Sequence, residues 1–151
     1  MTMAQAIDHA GIAALIPHAD RMCLLAAVQS WDPGRIRCTA TSHTDRDNPL
    51  RSASGLLAST AIEYAAQAAA VHGGLIAQAA GRVAAPGFLA SARGVRLHRL
   101  RLDDLAGELT LEAEHLAGDA RQLLYAFSVL HAGQPVVDGR LAVVLDTPLP
   151  A

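Results

Sequence analysis

Aromatic residues are scarce in this chain of 151 residues, of which two Tyr, two Phe and one Trp make up 3%. Leu, Val, Ile and Ala must therefore supply most of the core. A chain of this length buries enough surface to fold as one domain without disulfides or a structural metal. We expect a single domain that spans residues 1–151, in which a helix lies tightly against a sheet.

The chain also has little net charge and few cysteines. The formal net charge is -2 and the isoelectric point is near 6.4, so the chain as a whole is not attracted to nucleic acid or anionic lipid. We expect no nucleic-acid partner. Two cysteines, Cys23 and Cys38, are too few for a disulfide scaffold, and we expect both to be reduced and buried on strands. The histidines show no metal-ligand spacing with them, so no metal site is predicted.

We expect no secretory signal, because residues 1–22 have neither a basic start nor a long apolar core. The cytoplasm is the expected compartment. Residues 56–81 form an alanine-rich run long enough to span a bilayer. Glu63, Gln67, His72 and Gln78 are unfavourable in hydrocarbon, so we predict a buried helix and no membrane span.

Helical and strand patterns follow one another along the chain. A short helix is predicted at residues 4–15 and a long one at 56–79, with a weak point at Gly73 and Gly74. The turn Asp32-Pro33-Gly34 joins two strands into a hairpin, and a polar loop at 44–55 precedes the long helix. Predicted strands cover residues 23–31, 35–43, 87–100, 107–116, 121–133 and 136–145. A helix that is apolar nearly all round must be covered on most sides, which predicts an α+β fold with a curved antiparallel sheet wrapped around one long central helix.

This order and several motifs resemble the hot-dog fold, and within it the 3-hydroxyacyl-[acyl-carrier-protein] dehydratases. The motifs are LIPHADRMCLL at 15–25, NPLRSASG at 48–55, AIEYAAQAAA at 61–70 and GFLASAR at 87–93. The most similar branch consists of dehydratases associated with aryl-polyene and related pigment biosynthesis. The resemblance implies a hot-dog dimer with two sheets joined edge to edge and active sites at the interface. It also implies an acyl substrate carried on the phosphopantetheine of an acyl carrier protein, with no metal and no redox cofactor.

One departure from the better-known dehydratases concerns the catalytic histidine. Those enzymes carry it in the loop before the helix, and residues 48–55 contain no histidine. The resemblance to the pigment branch implies His18, in the Pro-His pair near the start of the chain, as the substitute. A structural role for His18 is the alternative.

Glu63 is the candidate catalytic carboxyl group. It is the only Asp, Glu, Lys or Arg between Ser52 and Gly81. Dehydration of a 3-hydroxyacyl thioester needs a base for the α-proton and an acid for the departing hydroxyl, and an apolar setting suits a carboxyl group to proton delivery. Gln67, four residues on, lies over the same helix face and is predicted to hold the carboxyl group or the substrate. The alternatives are a solvent-facing or packing role for Glu63 and a simple polar neighbour in Gln67.

Two further sites are predicted around this centre. Gly55 and Leu56, at the predicted start of the long helix, offer free backbone N–H groups for the thioester oxygen. Arg93 and Arg96, in a run that continues to Arg99 and Arg101, are predicted to dock the phosphopantetheine phosphate or the acidic face of a carrier protein. The alternative for these arginines is an edge strand protected by charge.

The function predicted from these residues is a 3-hydroxyacyl-[acyl-carrier-protein] dehydratase that forms a trans-2-enoyl thioester in fatty-acid-like, aryl-polyene or polyketide biosynthesis. One alternative is a thioesterase on the same fold, with Glu63 activating water. Another is a non-catalytic hot-dog subunit that partners a paralogous dehydratase. The chain is expected to be a homodimer or higher homo-oligomer, with a heterodimer as the alternative.

Overall fold

The computed structural model describes residues 6–16, 22–82, 87–119 and 121–145. Within these ranges the chain forms seven strands and two α-helices. The helices are α1 (His9–Ala13) and α2 (Ala61–Ala79). The strands are β1 (Ile7–Asp8), β2 (Ala27–Asp32), β3 (Arg35–Ala40), β4 (Gly87–Leu97), β5 (Leu109–Gly118), β6 (Gln122–His131) and β7 (Gln134–Leu145).

The strands form a single antiparallel sheet in the order β1-β2-β3-β5-β6-β7-β4. Helix α2 contacts five of them, from β3 at one side to β4 at the far edge. Five strands at about 4.8 Å spacing are much wider than one helix of about 10–12 Å, so the sheet must curve to contact α2 this way. The predicted α+β architecture, an antiparallel sheet around one long helix, is confirmed.

The hairpin between β2 and β3 forms where the turn residues predict it. The Asp32 carboxylate accepts hydrogen bonds from the backbone N–H groups of Gly34 at 2.7 Å and Arg35 at 3.0 Å. These bonds stabilise the turn because an Asp side chain accepts from backbone N–H groups of the turn itself. In strand β3, Ile36 and Cys38 are buried and Arg35 and Arg37 are exposed, whereas Thr39 is buried as well.

Helix α2 runs without a break through Gly73 and Gly74, the predicted weak point. A Cβ atom at Gly74 would lie 3.3 Å from the Leu15 carbonyl oxygen, whereas one at Gly73 would meet nothing within 4 Å. Gly74 therefore allows the chain that follows α1 to approach the helix closely. None of the helices in the described ranges combines the length and apolar character that crossing a membrane requires.

Several predicted boundaries are wrong. Helix α1 is shorter than residues 4–15, because Ile7 and Asp8 pair with β2 and the Asp8 side chain caps the helix by accepting from Gly11 N–H at 2.9 Å. The part of that prediction at residues 4–5 lies outside the described residues. Strand β2 begins at Ala27, so Cys23 precedes it, although Cys23 and Cys38 are both buried and not disulfide-bonded.

The predicted ends of β3 and β4 and the predicted start of α2 also differ from the structure. Strand β3 ends at Ala40 and is followed by a 3-10 turn at Ser42–Thr44. Strand β4 ends at Leu97. Helix α2 begins at Ala61, after a 3-10 turn at Ala58–Thr60, because Leu57 is extended and forms an isolated bridge with Arg101. Because α2 begins at Ala61, Gly55 and Leu56 do not lie at the start of the helix, where the sequence analysis placed them.

Candidate active site

Glu63 lies in the first turn of α2 and is half-buried. Its chain neighbour Tyr64 is fully buried, and Ala61 and Ala65 pack in the core on either side. Among the residues that the structure describes, no group forms a hydrogen bond or an ion pair with the Glu63 carboxyl group. The side chain is therefore not engaged in a structural ion pair there and is available to a ligand.

His18 lies in residues 17–21, outside the described residues. Its catalytic role therefore stays a prediction. The described chain resumes at Met22, four residues further on, and Cys23, Leu24 and Leu25 are buried.

Gln67 holds residues 22–24 against helix α2 through two hydrogen bonds. The Gln67 Oε1 atom accepts from the Leu24 backbone N–H at 2.8 Å, and the Nε2 group donates to the Met22 carbonyl oxygen. Gln67 is only 1% exposed, so its amide is committed to the backbone. The prediction that Gln67 holds the Glu63 carboxyl group is wrong, and substrate binding by Gln67 stays a prediction. Gln67 clamps the chain that follows residues 17–21 to a position one turn from Glu63.

A chain of buried hydrogen bonds holds the same segment from a second side. Asn48 Nδ2 donates to the Tyr64 hydroxyl at 2.9 Å, and Tyr64 and Ser42 hydroxyls are 2.7 Å apart. Ser42 Oγ donates to the Leu24 carbonyl oxygen at 2.8 Å, so its one proton is used and Tyr64 must donate to Ser42. Burial raises the pKa of the Tyr64 phenol and keeps that proton in place. Leu24 is thus fixed through both its N–H and its C=O group.

Sequence reasoning missed the network of Tyr64, Ser42 and Asn48. Tyr64 lies inside the IEYAAQ motif and Asn48 begins the NPLRSASG motif, so both belong to stretches that carried the resemblance. A buried Tyr hydroxyl group needs a hydrogen-bond partner. The presence of Tyr64 in an apolar run was therefore the one signal in the sequence that such a network exists. The partner's identity depends on contacts between segments that are distant along the chain.

Gly55 and Leu56 lie before α2, five or more residues from its first residue. The Gly55 N–H donates to the Ser52 carbonyl oxygen at 3.0 Å, and the Leu56 backbone N–H helps to lower the pKa of the Asp103 carboxylate. The prediction that they form the free N–H groups of the helix start is therefore wrong. Substrate binding by Gly55 and Leu56 stays a prediction.

An ion-pair cluster packs against Gly55. Arg101 donates to Asp103 at 2.6 and 2.8 Å, and Arg51 lies 3.6 Å from the same carboxylate. Hydrogen bonding by Arg101 lowers the pKa of Asp103 far below its usual range. A Cβ atom at Gly55 would meet Arg101 Nη2 and the Asp103 carboxylate, so any side chain there would require the ion pair to shift.

The arginines of the run from Arg93 to Arg101, here called the basic patch, differ in whether they form an ion pair within the chain. Arg96 lies 3.3 Å from Asp138, and Arg101 is held by Asp103. Arg93 is exposed on β4, and β7 places Arg140 directly opposite it. Arg140 belongs to the patch, yet it is 47 positions from Arg93 in the sequence, and only the strand register brings the two together.

A groove of about 1150 Å³ lies beside the clamped segment. Its walls include Met22, Leu24, Ser42 and Asn48, the groups that Gln67 and Tyr64 hold from the helix side. Glu63 is not among the residues that line it. In the described ranges, no three His, Cys, Asp or Glu side chains are grouped as a metal ion would require.

Solved structures with this arrangement are hot-dog proteins. The ApeI:P dehydratase heterocomplex from Xenorhabdus doucetiae is similar with a TM-score of 0.81 and 24% identity, over 90% of this chain and 91% of that chain. A mutant thioesterase from Pseudomonas aeruginosa is similar with a TM-score of 0.61 and 14% identity, over 97% and 99% of the two chains. A hypothetical thioesterase with coenzyme A from Streptococcus pneumoniae has a TM-score of 0.55 and 12% identity, over 82% and 87%. At these identities the likeness shows the fold, and the hot-dog prediction is confirmed.

A family model identifies the chain more narrowly than its fold does. Residues 10–149 match the ApeP-like family, described as ApeP dehydratase. The chain belongs to the ApeP-like dehydratase family, which confirms the resemblance to the aryl-polyene branch. No curated protein sequence matches the chain significantly.

Proposed function

We propose that the chain is a 3-hydroxyacyl-[acyl-carrier-protein] dehydratase of aryl-polyene, fatty-acid-like or polyketide biosynthesis. The observation that carries the proposal is the unengaged Glu63 carboxyl group at the first turn of α2, one turn from a clamp on the chain that follows His18. Membership of a dehydratase family supports the reaction class.

In the proposed reaction, neutral His18 takes the α-proton of the 3-hydroxyacyl thioester. The carboxyl group of Glu63 donates a proton to the 3-hydroxyl group as its C–O bond breaks, so water leaves and a trans-2-enoyl thioester forms. The substrate is carried on the phosphopantetheine of an acyl carrier protein. Arg93 is the docking residue that stays available to a carrier protein, whereas Arg96 is paired with Asp138.

The test incubates the protein with a 3-hydroxyacyl carrier protein and follows the mass of the acyl carrier protein. Loss of one water is the expected result, for an aryl or an alkyl starter. Release of free acid and free thiol would instead indicate the thioesterase. If neither change occurred with any starter, the chain would be a non-catalytic subunit.

We further propose that the working form is at least a dimer of hot-dog chains. The heterocomplex to which the fold is similar gives the precedent for a partner of a different sequence. Light scattering of the pure chain, alone and with a second hot-dog chain, measures this, and a monomeric mass in both cases would contradict it.

A further inference from the structure

The segment at residues 100–103, between β4 and β5, is paired with residues 56–58, which precede α2. Two backbone hydrogen bonds, of 2.8 and 2.9 Å, join these segments on either side of an antiparallel bridge between Leu57 and Arg101. Three side chains of the two segments are fully buried, namely Leu56, Ala58 and Leu102. A segment more than forty residues away along the chain therefore determines the path of the backbone just before the helix.

An ion pair reinforces this pairing. The Asp103 carboxylate accepts from the Arg101 guanidinium group at 2.6 and 2.8 Å, and the Asp103 side chain is only 7% exposed. The Leu56 N–H group helps to lower the pKa of this carboxylate, and Gly55 packs against the pair. An ion pair that is taken out of water is weak evidence for stability, whereas fixing one arrangement of the chain is an attested use of such pairs. The Arg101 and Asp103 pair thus holds residues 55–57 in one arrangement.

The held segment continues directly into the turn that carries Glu63. Ala58 is both the last residue of the paired segment and the first residue of the 3-10 turn, and its carbonyl oxygen accepts from the Ala61 N–H group. Helix α2 begins at Ala61, so Glu63 is its third residue. A hydrogen-bonded helical turn has no free joint in its backbone. A change in the direction of residues 56–58 would therefore move the Glu63 side chain.

The local sequence favours a different start for this helix. The apolar helical pattern extends back through Leu56 and Leu57, and a helix that began at Leu56 would place Glu63 beyond its first two turns. In the structure Leu57 is extended instead, and Glu63 lies in the first turn. The contact with residues 100–103 opposes the local preference and sets the place of Glu63 in the helix.

We infer that Arg101 and Asp103 are positioning residues of the proposed dehydratase. Their ion pair holds the chain before α2 in its extended path and so fixes where the first turn of the helix places the Glu63 carboxyl group. The assignment rests on the proposed function, in which Glu63 delivers a proton to the departing hydroxyl group.

The first test is hydrogen exchange in the variant Asp103→Asn. Asn keeps the size of the side chain but replaces one of the two acceptor oxygens with an N–H donor, so Arg101 loses one of its two bonds. The amides of residues 58–63 should exchange roughly tenfold faster than in the wild type, because a bond to a charged group is lost. Val71 and Leu75, buried further along α2, should keep their wild-type rates.

The second test asks whether the pair acts through Glu63. With a 3-hydroxyacyl carrier protein as substrate, Asp103→Asn should lower kcat about 10- to 100-fold at a nearly unchanged KM, since a displaced carboxyl group impairs the chemical step. In the Glu63→Gln protein the same change should have little further effect, because no carboxyl group is left to position. Arg101→Lys keeps the charge without the two-pronged bond and should lower kcat less than Asp103→Asn does.

Glu112→Gln is the matched control, because it removes a carboxylate from an ion pair with Arg37 on the sheet, and it should change neither exchange nor kcat. Wild-type exchange at residues 58–63 in Asp103→Asn, or additive losses of kcat in Asp103→Asn/Glu63→Gln, would overturn the assignment. Denaturant unfolding confirms that each variant is folded at the assay temperature. If the wild type released no water, the proposed function would fail, and hydrogen exchange would still decide whether the pair fixes the turn.

Discussion

At the scale of single residues, Gly55 meets two demands at once. Its φ of +96° disfavours any side chain, and a Cβ atom there would lie 2.4 Å from Arg101 Nη2 and 2.6 Å from Asp103. We expect Gly55→Ala to lower the free energy of unfolding by about 1–2 kcal/mol for the backbone alone, with a further loss because the ion pair must move. Chemical denaturation of the two proteins measures the difference.

Gly107 supplies the matched control for Gly55. Its φ is +87°, yet a Cβ atom there would meet nothing within 4 Å. Gly107→Ala should therefore cost only the backbone strain. Equal losses for the two variants would show that the approach of Arg101 and Asp103 to Gly55 has no energetic weight.

His72 and His43 make stability depend on pH. Both are fully buried, and desolvation lowers the pKa of each below the ordinary 6.5. His72 Nε2 donates to the Asp32 carbonyl oxygen at 2.7 Å, so in the neutral ring Nδ1 accepts from the Tyr125 hydroxyl at 2.7 Å. The folded state thus keeps these rings neutral, and protonation favours the unfolded chain.

The sign of the pH dependence follows from proton counts. Below the unfolded pKa of about 6.5 the unfolded chain binds more protons than the folded one, so the free energy of unfolding rises with pH. It should be highest above that value and fall as the pH decreases toward 5. Denaturant unfolding at a series of pH values measures the slope, and His72→Gln should make it shallower. An unchanged slope would contradict the assignment to His72.

At the scale of elements, α2 acts as the support to which a neighbouring segment is fixed. Gln67→Met keeps the side-chain size and leaves the Leu24 N–H and the Met22 carbonyl oxygen without their partner. Each loss costs about 1–3 kcal/mol. We expect a lower free energy of unfolding, faster amide hydrogen exchange at Leu24, and a lower kcat because the chain after His18 is no longer fixed.

Gln78→Met is the control for this clamp. Gln78 is exposed in the last turn of α2, so the same chemical change there should leave stability and exchange almost unchanged. If Leu24 exchanged at the wild-type rate in Gln67→Met, the clamp would not hold that segment.

The C-terminal end of α2 was predictable from sequence, and its start was not. The helix ends at Ala79 as predicted, because the apolar pattern stops there. The apolar run continues without a break on the N-terminal side, through Leu56 and Leu57, although both residues lie outside the helix and Leu57 is extended. Leu56 is fixed there by Leu102, whose N–H donates to its carbonyl oxygen at 2.8 Å. A local pattern cannot show a contact with a segment more than forty residues away.

At the scale of the whole molecule, the order of the elements from α1 onward and the β2-β3 hairpin were predictable, whereas strand β1 and the pairing of the other strands were not. Glu63 stood out in the sequence because it is a single charge in a long apolar run. The commitment of Gln67 to Met22 and Leu24, and the meeting of Arg93 with Arg140, both depend on contacts between distant parts of the chain. The Arg93 and Arg140 pair follows from the sheet register, and the Gln67 bonds follow from the packing of residues 22–24 against α2.

The central claim is that Glu63 performs dehydration chemistry on a stable hot-dog scaffold. Because Glu63 is half-buried and has no partner among the described residues, Glu63→Gln should leave the fold intact. Glu108→Gln, at an exposed loop carboxylate, serves as the matched control and should keep wild-type turnover.

The measurement that tests this claim most directly is the rate of water loss from a 3-hydroxyacyl carrier protein, followed by mass spectrometry for the wild type and Glu63→Gln. The account predicts formation of the enoyl thioester by the wild type and a rate about 10²- to 10⁴-fold lower for the variant. Equal rates of water loss by the two proteins would contradict it.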